Sequence, residues 1–330
     1  MSDRDTRIAA FLAKQGWDAA DRRTLADDAS FRRYDRLTGQ GRSAVLMDAP
    51  PAKEDVRPFV SIAEILRSLD LSAPEILAQS PEDGLLLLED FGDDTYTRVL
   101  AADPDCETEL YMLAVDLLIE LHRRFTVAAD IPKYDDALLL TEANLLIDWY
   151  LPAITGNTVT DSLRQDYAKL WQALFVQTRD TRETLVLRDY HVDNLIWLPR
   201  RAGIRACGLL DFQDAVIGPA AYDLVSLLED ARRDVPSDLA QRAMDRYLAA
   251  FPDIDPDAFR LSYAILGAQR STKILGIFTR LDRRDGKPDY LCHLPRVWRW
   301  LEADLNHPAL AALRDWFNRV LPPETRTIKT

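Results

Sequence analysis

The spacing of apolar residues changes period once along this chain, and that change limits the folds open to it. Up to about residue 90 the apolar residues come in short runs separated by turn-forming clusters. Residues 31–37 and 44–47 flank Thr38-Gly39-Gln40-Gly41, which predicts a hairpin, and residues 75–79 and 85–89 flank Pro81-Glu82-Asp83-Gly84, which predicts a second. Between them, residues 56–69 set Phe59, Ile62, Ala63, Leu66 and Leu69 at helical spacing, with Glu64 near the middle. A short amphipathic helix over 6–16, with Ile8, Phe11 and Leu12 on one face, precedes the strands, and Asp28-Ala29-Ser30 reads as a tight turn over which phosphates could sit.

From Asp93 onward the period is helical. Helices are predicted over 107–125, 142–150, 162–178, 220–231, 237–251, 257–278 and 295–306. One hairpin interrupts them, with strands at 195–198 and 206–210 joined by Pro199-Arg200-Arg201-Ala202-Gly203. The expected class is therefore α+β and bilobal. A small β-rich N-lobe, 1–91, and a large mostly helical C-lobe, 92–330, are expected.

That hairpin carries the chemistry. It follows Arg188-Asp189-Tyr190-His191-Val192-Asp193-Asn194 and delivers Leu210-Asp211-Phe212-Gln213-Asp214. An Asp, an Asn five positions later and a second Asp at the end of a hairpin is how kinase-like enzymes place a hydroxyl and Mg²⁺. Asp189 would accept the proton of the attacking hydroxyl, and Asn194 and Asp211 would hold the metal against nucleotide phosphates, oxygen ligands being what Mg²⁺ prefers. Taken singly, Asp and Asn in loops often do no more than stabilise turns. The hairpin weighs against that plainer account, because it brings Asn194 and Asp211 together at its open end.

Composition narrows the partners. A chain of 330 residues with 47% hydrophobic and 29% charged residues is ordinary for a globular enzyme. The net charge of −13 argues against nucleic acid or an anionic membrane as partner. No apolar run approaches the ~20 residues of a membrane span, and Met1-Ser2-Asp3-Arg4-Asp5 is polar with no signal-like core after it, so a cytoplasmic protein is expected; a monomer is the working expectation, with oligomeric state not set by any residue pattern. Cys106, Cys207 and Cys292 are odd in number and far apart, which points to structural thiols.

With these residues in hand, the chain resembles the aminoglycoside phosphotransferase and choline kinase-like superfamily of small-molecule kinases. The resemblance rests on residues 188–194, on Leu210-Asp211-Phe212-Gln213-Asp214-Ala215 and on Gly218-Pro219-Ala220-Ala221-Tyr222-Asp223-Leu224. Members usually show His-Gly-Asp ahead of the loop; here Arg188 precedes Asp189, the protein-kinase order. Within the superfamily the chain is most similar to bacterial anomeric kinases of N-acetylmuramate and N-acetylglucosamine. The stretches 30–34, Met47-Asp48-Ala49-Pro50-Pro51, Glu142 with Asp148-Trp149-Tyr150, and Gln269-Arg270 through Phe278 to Arg280 carry that likeness.

The resemblance implies an ATP-dependent sugar kinase of cell-wall recycling, with Mg²⁺ as cofactor. Backbone groups at Leu88, Glu89, Asp90 and Phe91 would hold adenine. Ser30, Arg32 and Arg33 would meet the phosphates, since the strand Val45-Leu46-Met47 lacks the lysine that kinases use there. Lys53 is a further source of that charge, and Glu64 is either a partner of one of these three cations or a solvated helix residue. His191, Asp214, Glu142, Trp149 and Arg270 are the candidate sugar contacts, with holding or orienting the loop as the alternative for His191 and Asp214, and the Arg270, Lys273 and Arg280 face could receive an acidic substrate group. Solvated charge for that face, and core packing for Trp149, Tyr150 and His122, are the plainer accounts. Asp223 is expected to brace the catalytic loop. Two rival functions stand beside this one: a kinase of the same fold acting on an aminoglycoside, choline or homoserine, and a non-catalytic nucleotide-binding pseudokinase suggested by the missing strand lysine.

Overall fold

The computed structural model describes residues 3–27, 31–126, 130–179 and 181–328. The chain opens on α1 (Asp3–Lys14), β1 (Asp21–Asp27), β2 (Arg33–Gly39), β3 (Arg42–Asp48), α2 (Arg57–Ser68), β4 (Ile76–Ser80) and β5 (Leu85–Leu88). Helices α3 (Tyr96–Ala102), α4 (Glu107–Arg124), α5 (Asp136–Leu145), α6 (Leu151–Thr155) and α7 (Asp161–Phe175) follow. Strands β6 (Glu183–Val186), β7 (Leu195–Trp197), β8 (Cys207–Leu209) and β9 (Val216–Pro219) come next. The chain closes on α8 (Ala221–Leu228), α9 (Ser237–Ala250), α10 (Pro256–Asp285), α11 (Leu294–Leu305) and α12 (Ala311–Val320). This is the α+β order expected from the change of period.

Two compact units result, Met1–Leu117 with Val192–Asp214, and Leu118–His191 with Ala215–Thr330. The sequence reading draws a single boundary after residue 91, whereas the units place 92–117 and 192–214 with the sheet. Backbone pairing explains the difference. Thr95 bridges Ile196, Ser72 bridges Gly208, and the Leu209 N–H donates to the Ser72 carbonyl at 2.8 Å.

In the first unit strands β1 to β5 form an antiparallel sheet in the order β1-β2-β3-β5-β4, and β7 and β8 form a separate two-stranded one. Leu37, Ala44, Leu46, Leu85 and Leu87 point from one face onto Ile8, Phe11 and Leu12 of α1 and onto Trp17, the helix face expected from spacing. Each buried Leu, Ile or Phe among them contributes about 1.5–3 kcal/mol on burial. Strand β1 has no counterpart in the sequence reading, because Asp21-Arg22-Arg23-Thr24 is polar. It is an edge strand held by its charges: Arg22 pairs with the buried Asp35 at 2.5 Å, and the Thr24 hydroxyl donates to the same carboxylate at 2.8 Å. Helix α2 buries Phe59, Ile62, Ala63 and Leu66 and leaves Glu64 exposed, so Glu64 is the solvated helix residue. The turn before β5 needs Gly84: its φ is +63°, and a Cβ there would stand 1.9 Å from the Ala49 carbonyl oxygen.

The second unit is built on α10, whose first turn is capped by Asp255 and whose end is closed by Gly286 at φ +65°. It runs past the predicted end at 278, because the polar turn Asp282-Arg283-Arg284 breaks the apolar spacing without breaking the helix. Helices α5, α8 and α11 pack against it. At Leu146–Tyr150 the backbone passes from α5 into a π-helical turn. There α10 approaches so closely that a Cβ on Gly276 would lie 2.3 Å from the Leu145 carbonyl carbon. Gly276→Ala is therefore expected to destabilise the protein by about 1–3 kcal/mol or more, read as a lowered Tm, because backbone rather than a side chain would have to move.

The stretch Asp136–Thr155 is long and apolar enough to cross a membrane, against the expectation that no run reaches that length. It holds the buried Glu142 in an ion pair with Lys273 and packs along α10, as a core helix does. Strands β6 and β9 form a short antiparallel ladder that leads directly to Leu187 and Arg188.

Candidate active site

Residues 187–191, with Asp189, belong to the second unit. Residue Asp223 in the first turn of α8 is completely buried, and its carboxylate accepts the N–H of Leu187 at 2.6 Å and of Arg188 at 2.9 Å. Those two bonds hold Arg188 at φ +71°, a left-handed conformation costly for an arginine, and so set the direction in which the chain leaves toward Asp189. Burial pushes the Asp223 carboxyl up to about 7, with the two backbone donors working against that rise.

At Asp189 burial would raise the pKa, but Lys273, His191, Arg270 and Arg188 outweigh it and hold the carboxyl below its ordinary value. The residue is therefore an ionised acceptor at neutral pH. At His191, burial dominates and lowers the pKa; Asp230 and Asp189 oppose it while Arg232 and Arg270 add to it. The ring is neutral at pH 7. The other buried histidine, His122, sits with Nδ1 2.7 Å from the Tyr247 hydroxyl and is brought down to about 3 by burial and Arg182, a packing residue as expected.

The metal candidates belong to the first unit. The β7–β8 hairpin places the Asn194 amide nitrogen 3.5 Å from Asp211 Oδ2, and the Leu210 N–H donates to the Asn194 carbonyl at 2.9 Å. Asp211 stands at φ +56°, which aspartate tolerates, with Gln213 Nε2 on its Oδ1 at 2.8 Å. Next to it Phe212 is buried against Phe59 of α2, ring centroids 4.8 Å apart. Two hard oxygen donors on one hairpin suit Mg²⁺, which takes one or two protein ligands and completes its shell with phosphate oxygens and water. Among the described residues no cluster of three or more His, Cys, Asp or Glu could hold a metal by itself.

The first unit also separates the two arginines. Arg33 is engaged by Asp35 at 3.4 Å and Asp48 at 3.2 Å. For Arg32, burial lowers the pKa, and Tyr34, Asp211, Glu54 and Asp214 together carry it above the ordinary arginine value. Arg32 is thus the arginine in the field of Asp211. Lys53 stands over the Phe31 ring at 4.9 Å, and Ser30 lies outside the described residues. After the buried Leu88, the Glu89 N–H donates to the Glu75 carbonyl at 2.8 Å and its carboxylate binds Arg201. Asp90 pairs with Arg36 at 2.8 Å, and Phe91 lies under Arg201 at 5.0 Å. The side chains of this segment are thus engaged within the unit.

Of the expected sugar contacts, Asp214 is exposed, with Gln213 Nε2 at 3.5 Å. Trp149 is half-buried on the π-helical turn, whereas Tyr150 is a core residue whose hydroxyl accepts from Trp298 at 2.8 Å. On α10, Arg270 and Lys273 are buried and Arg280 is half-buried, so the first two are not a solvated stripe. Arg270 donates to the Glu229 carbonyl at 3.4 Å. Glu142 is buried among protein donors: Arg188 and Lys273, the latter at 3.0 Å, meet Oε1, while the Tyr134 hydroxyl and Gln269 Nε2, at 3.2 Å, meet Oε2. Tyr134 was not singled out from sequence, and no local spacing marks it.

The family described as the phosphotransferase enzyme family matches residues 21–261. The chain belongs to that family. This phosphotransferase is 38% identical to an N-acetylmuramate/N-acetylglucosamine kinase of Caulobacter vibrioides, over 98% of the chain and 99% of the relative. It is also 38% identical to a protein of the same name from Pseudomonas aeruginosa, over 94% of the chain and 92% of the relative. In three dimensions it is similar to a choline/ethanolamine kinase family protein from Mesorhizobium loti, with a TM-score of 0.64 at 13% identity over 94% of the chain and 97% of that structure. The last likeness concerns the fold, which is the bilobal kinase-like one expected.

Proposed function

We propose that this phosphotransferase is an ATP-dependent sugar kinase that phosphorylates the anomeric C1 hydroxyl of N-acetylmuramate and N-acetylglucosamine in cell-wall recycling, in the cytoplasm. The observation that carries the reading is an ionised Asp189 surrounded by cations, on the loop that leads to the Asn194–Asp211 pair. The two relatives named N-acetylmuramate/N-acetylglucosamine kinase support the acceptor. So does the burial of Arg270 on α10, since a substrate carrying a carboxylate needs compensating charge.

In this reading residues 1–91 bind the nucleotide and 92–330 carry the catalytic loop and substrate site. Asn194 and Asp211 hold Mg²⁺, which when bound neutralises phosphate charge and orients the terminal phosphoryl group. Arg32 takes the place of the absent strand lysine at the phosphates, and backbone groups over Leu88–Phe91 receive adenine. Asp189 accepts the proton of the C1 hydroxyl. That hydroxyl is hemiacetal and more acidic than an ordinary alcohol, so alignment and charge supply most of the acceleration. His191, Asp214, Trp149 and Arg270 approach the sugar.

Phosphorus NMR of mixtures with ATP, Mg²⁺ and a panel of acceptors tests this directly. A sugar 1-phosphate resonance is expected from N-acetylmuramate and N-acetylglucosamine. Product from only an aminoglycoside, choline or homoserine would replace the acceptor assignment, and no product from any acceptor would favour a nucleotide-binding scaffold.

A further inference from the structure

Glu142 occupies an unusual position for a residue expected to touch a sugar. An ionised carboxylate offers about four lone-pair sites, and here four protein donors occupy them: Arg188 and Lys273 on Oε1, the Tyr134 hydroxyl and Gln269 Nε2 on Oε2. The side chain is buried, so a sugar hydroxyl could bond to it only by displacing one of the four. Two of the donors are themselves fixed. Gln269 Nε2 also donates to the Leu139 carbonyl at 3.0 Å, and the Arg188 guanidinium lies 5.7 Å from the Tyr134 ring centroid.

The bonded arginine immediately precedes the base. Arg188 is held at its backbone by Asp223 and at its guanidinium by Glu142, so a residue in a strained left-handed conformation is clamped at both ends. From this geometry we propose that Glu142 is a positioning residue of the base loop, acting through Arg188 on Asp189, with Lys273 as its second counter-ion. The arginine next to the base has a permanent counter-ion within the chain, where phosphorylation-switched kinases supply one by modification. Burial would raise the Glu142 carboxyl, but Lys273, Arg188 and the Tyr134 hydroxyl bring it below its ordinary value, so the bridge is charged at neutral pH. Lys273 also faces Asp189, Tyr222 and Arg188.

The inference rests on Asp189 being the base, and it is tested by a double-mutant cycle in kcat with Glu142→Gln, Arg188→Met and the pair. The cycle is run on whichever acceptor the wild-type protein turns over, water included, so that a wrong sugar assignment does not decide it. Each single change is expected to lower kcat by about 10²-fold, the scale of a misplaced reacting group, with KM for nucleotide and acceptor nearly unchanged. The double variant is expected to be no worse than either single one, because both remove the same support. Effects that multiply, or a Glu142→Gln protein whose acceptor KM rises while kcat stays, would overturn the proposal and return Glu142 to the substrate. Should Glu142→Gln not fold, Tyr134→Phe and Lys273→Met each remove one donor from the same carboxylate. A kcat unchanged in both folded variants overturns the proposal equally.

Discussion

Asp189→Asn is expected to lower kcat by about 10³-fold, within the range ascribed to a positioned general base, while the dissociation constant for Mg-ATP changes little. The split follows from the division of labour. In the proposed reading Asn194, Asp211 and Arg32 meet the nucleotide, whereas Asp189 meets the acceptor hydroxyl. The substitution is close to isosteric, and the amide keeps an oxygen able to accept a bond but cannot take up a proton. Single-turnover kinetics for kcat and titration calorimetry for the nucleotide provide the two readouts. Full turnover, or loss of nucleotide binding in a folded protein, would sink the assignment. The pH dependence is part of the same expectation. Because the folded-state pKa of Asp189 is depressed, the base stays ionised at and above its ordinary carboxylate value, about 4, and its acid limb in kcat/KM lies below that. Its ionisation stabilises the fold above the unfolded pKa, and that contribution is lost as pH falls through the folded one.

Asp223→Ala is expected to cost roughly 2–6 kcal/mol of stability, because it strands the buried N–H groups of Leu187 and Arg188 at about 1–3 kcal/mol each. Activity should fall even in the folded fraction, since Arg188 is then free to leave its left-handed conformation and carry Asp189 with it. Chemical denaturation at several pH values checks the energetic part, and its sign can be worked out. Asp223 is raised to about 7 by burial, so between its unfolded pKa near 4 and that value the folded state holds the proton more tightly than the unfolded chain. Wild-type stability supplied by this group therefore declines as pH rises through that window. The penalty of Asp223→Ala should accordingly be smaller at pH 8 than at pH 5. A penalty that grows with pH would show that the carboxylate is stabilised rather than burdened by its surroundings.

How much of this was legible in the sequence varies from residue to residue. The α1 face of Ile8, Phe11 and Leu12, the buried stripe of α2 and the β7–β8 hairpin were readable because each is a local pattern, set by helical or turn geometry within a few residues. β1 was not readable, because its stability comes from the Arg22–Asp35 pair across an edge rather than from apolar alternation. The unit boundaries were hidden for a related reason: the chain returns at 192–214 to the unit it left at residue 117, and no composition shift marks a return.

The site divides the same way. Asp189, Asn194 and Asp211 stood out as candidates from sequence alone, because one loop and one hairpin set their spacing, and that spacing pointed to the phosphotransferase class to which the chain belongs. Side-chain commitments were decided only by tertiary structure. Arg32 and Arg33 are neighbours with equal claims on a phosphate until the fold shows Asp35 and Asp48 holding Arg33 and Asp211 in the field of Arg32. Glu142 and Lys273 are 46 and 85 residues from Arg188 and Arg188 and Asp189 are adjacent, yet one buried carboxylate joins them. Covalent proximity fixes short spacings whatever surrounds them, whereas a buried charge chooses its partners only when the chain has closed around it.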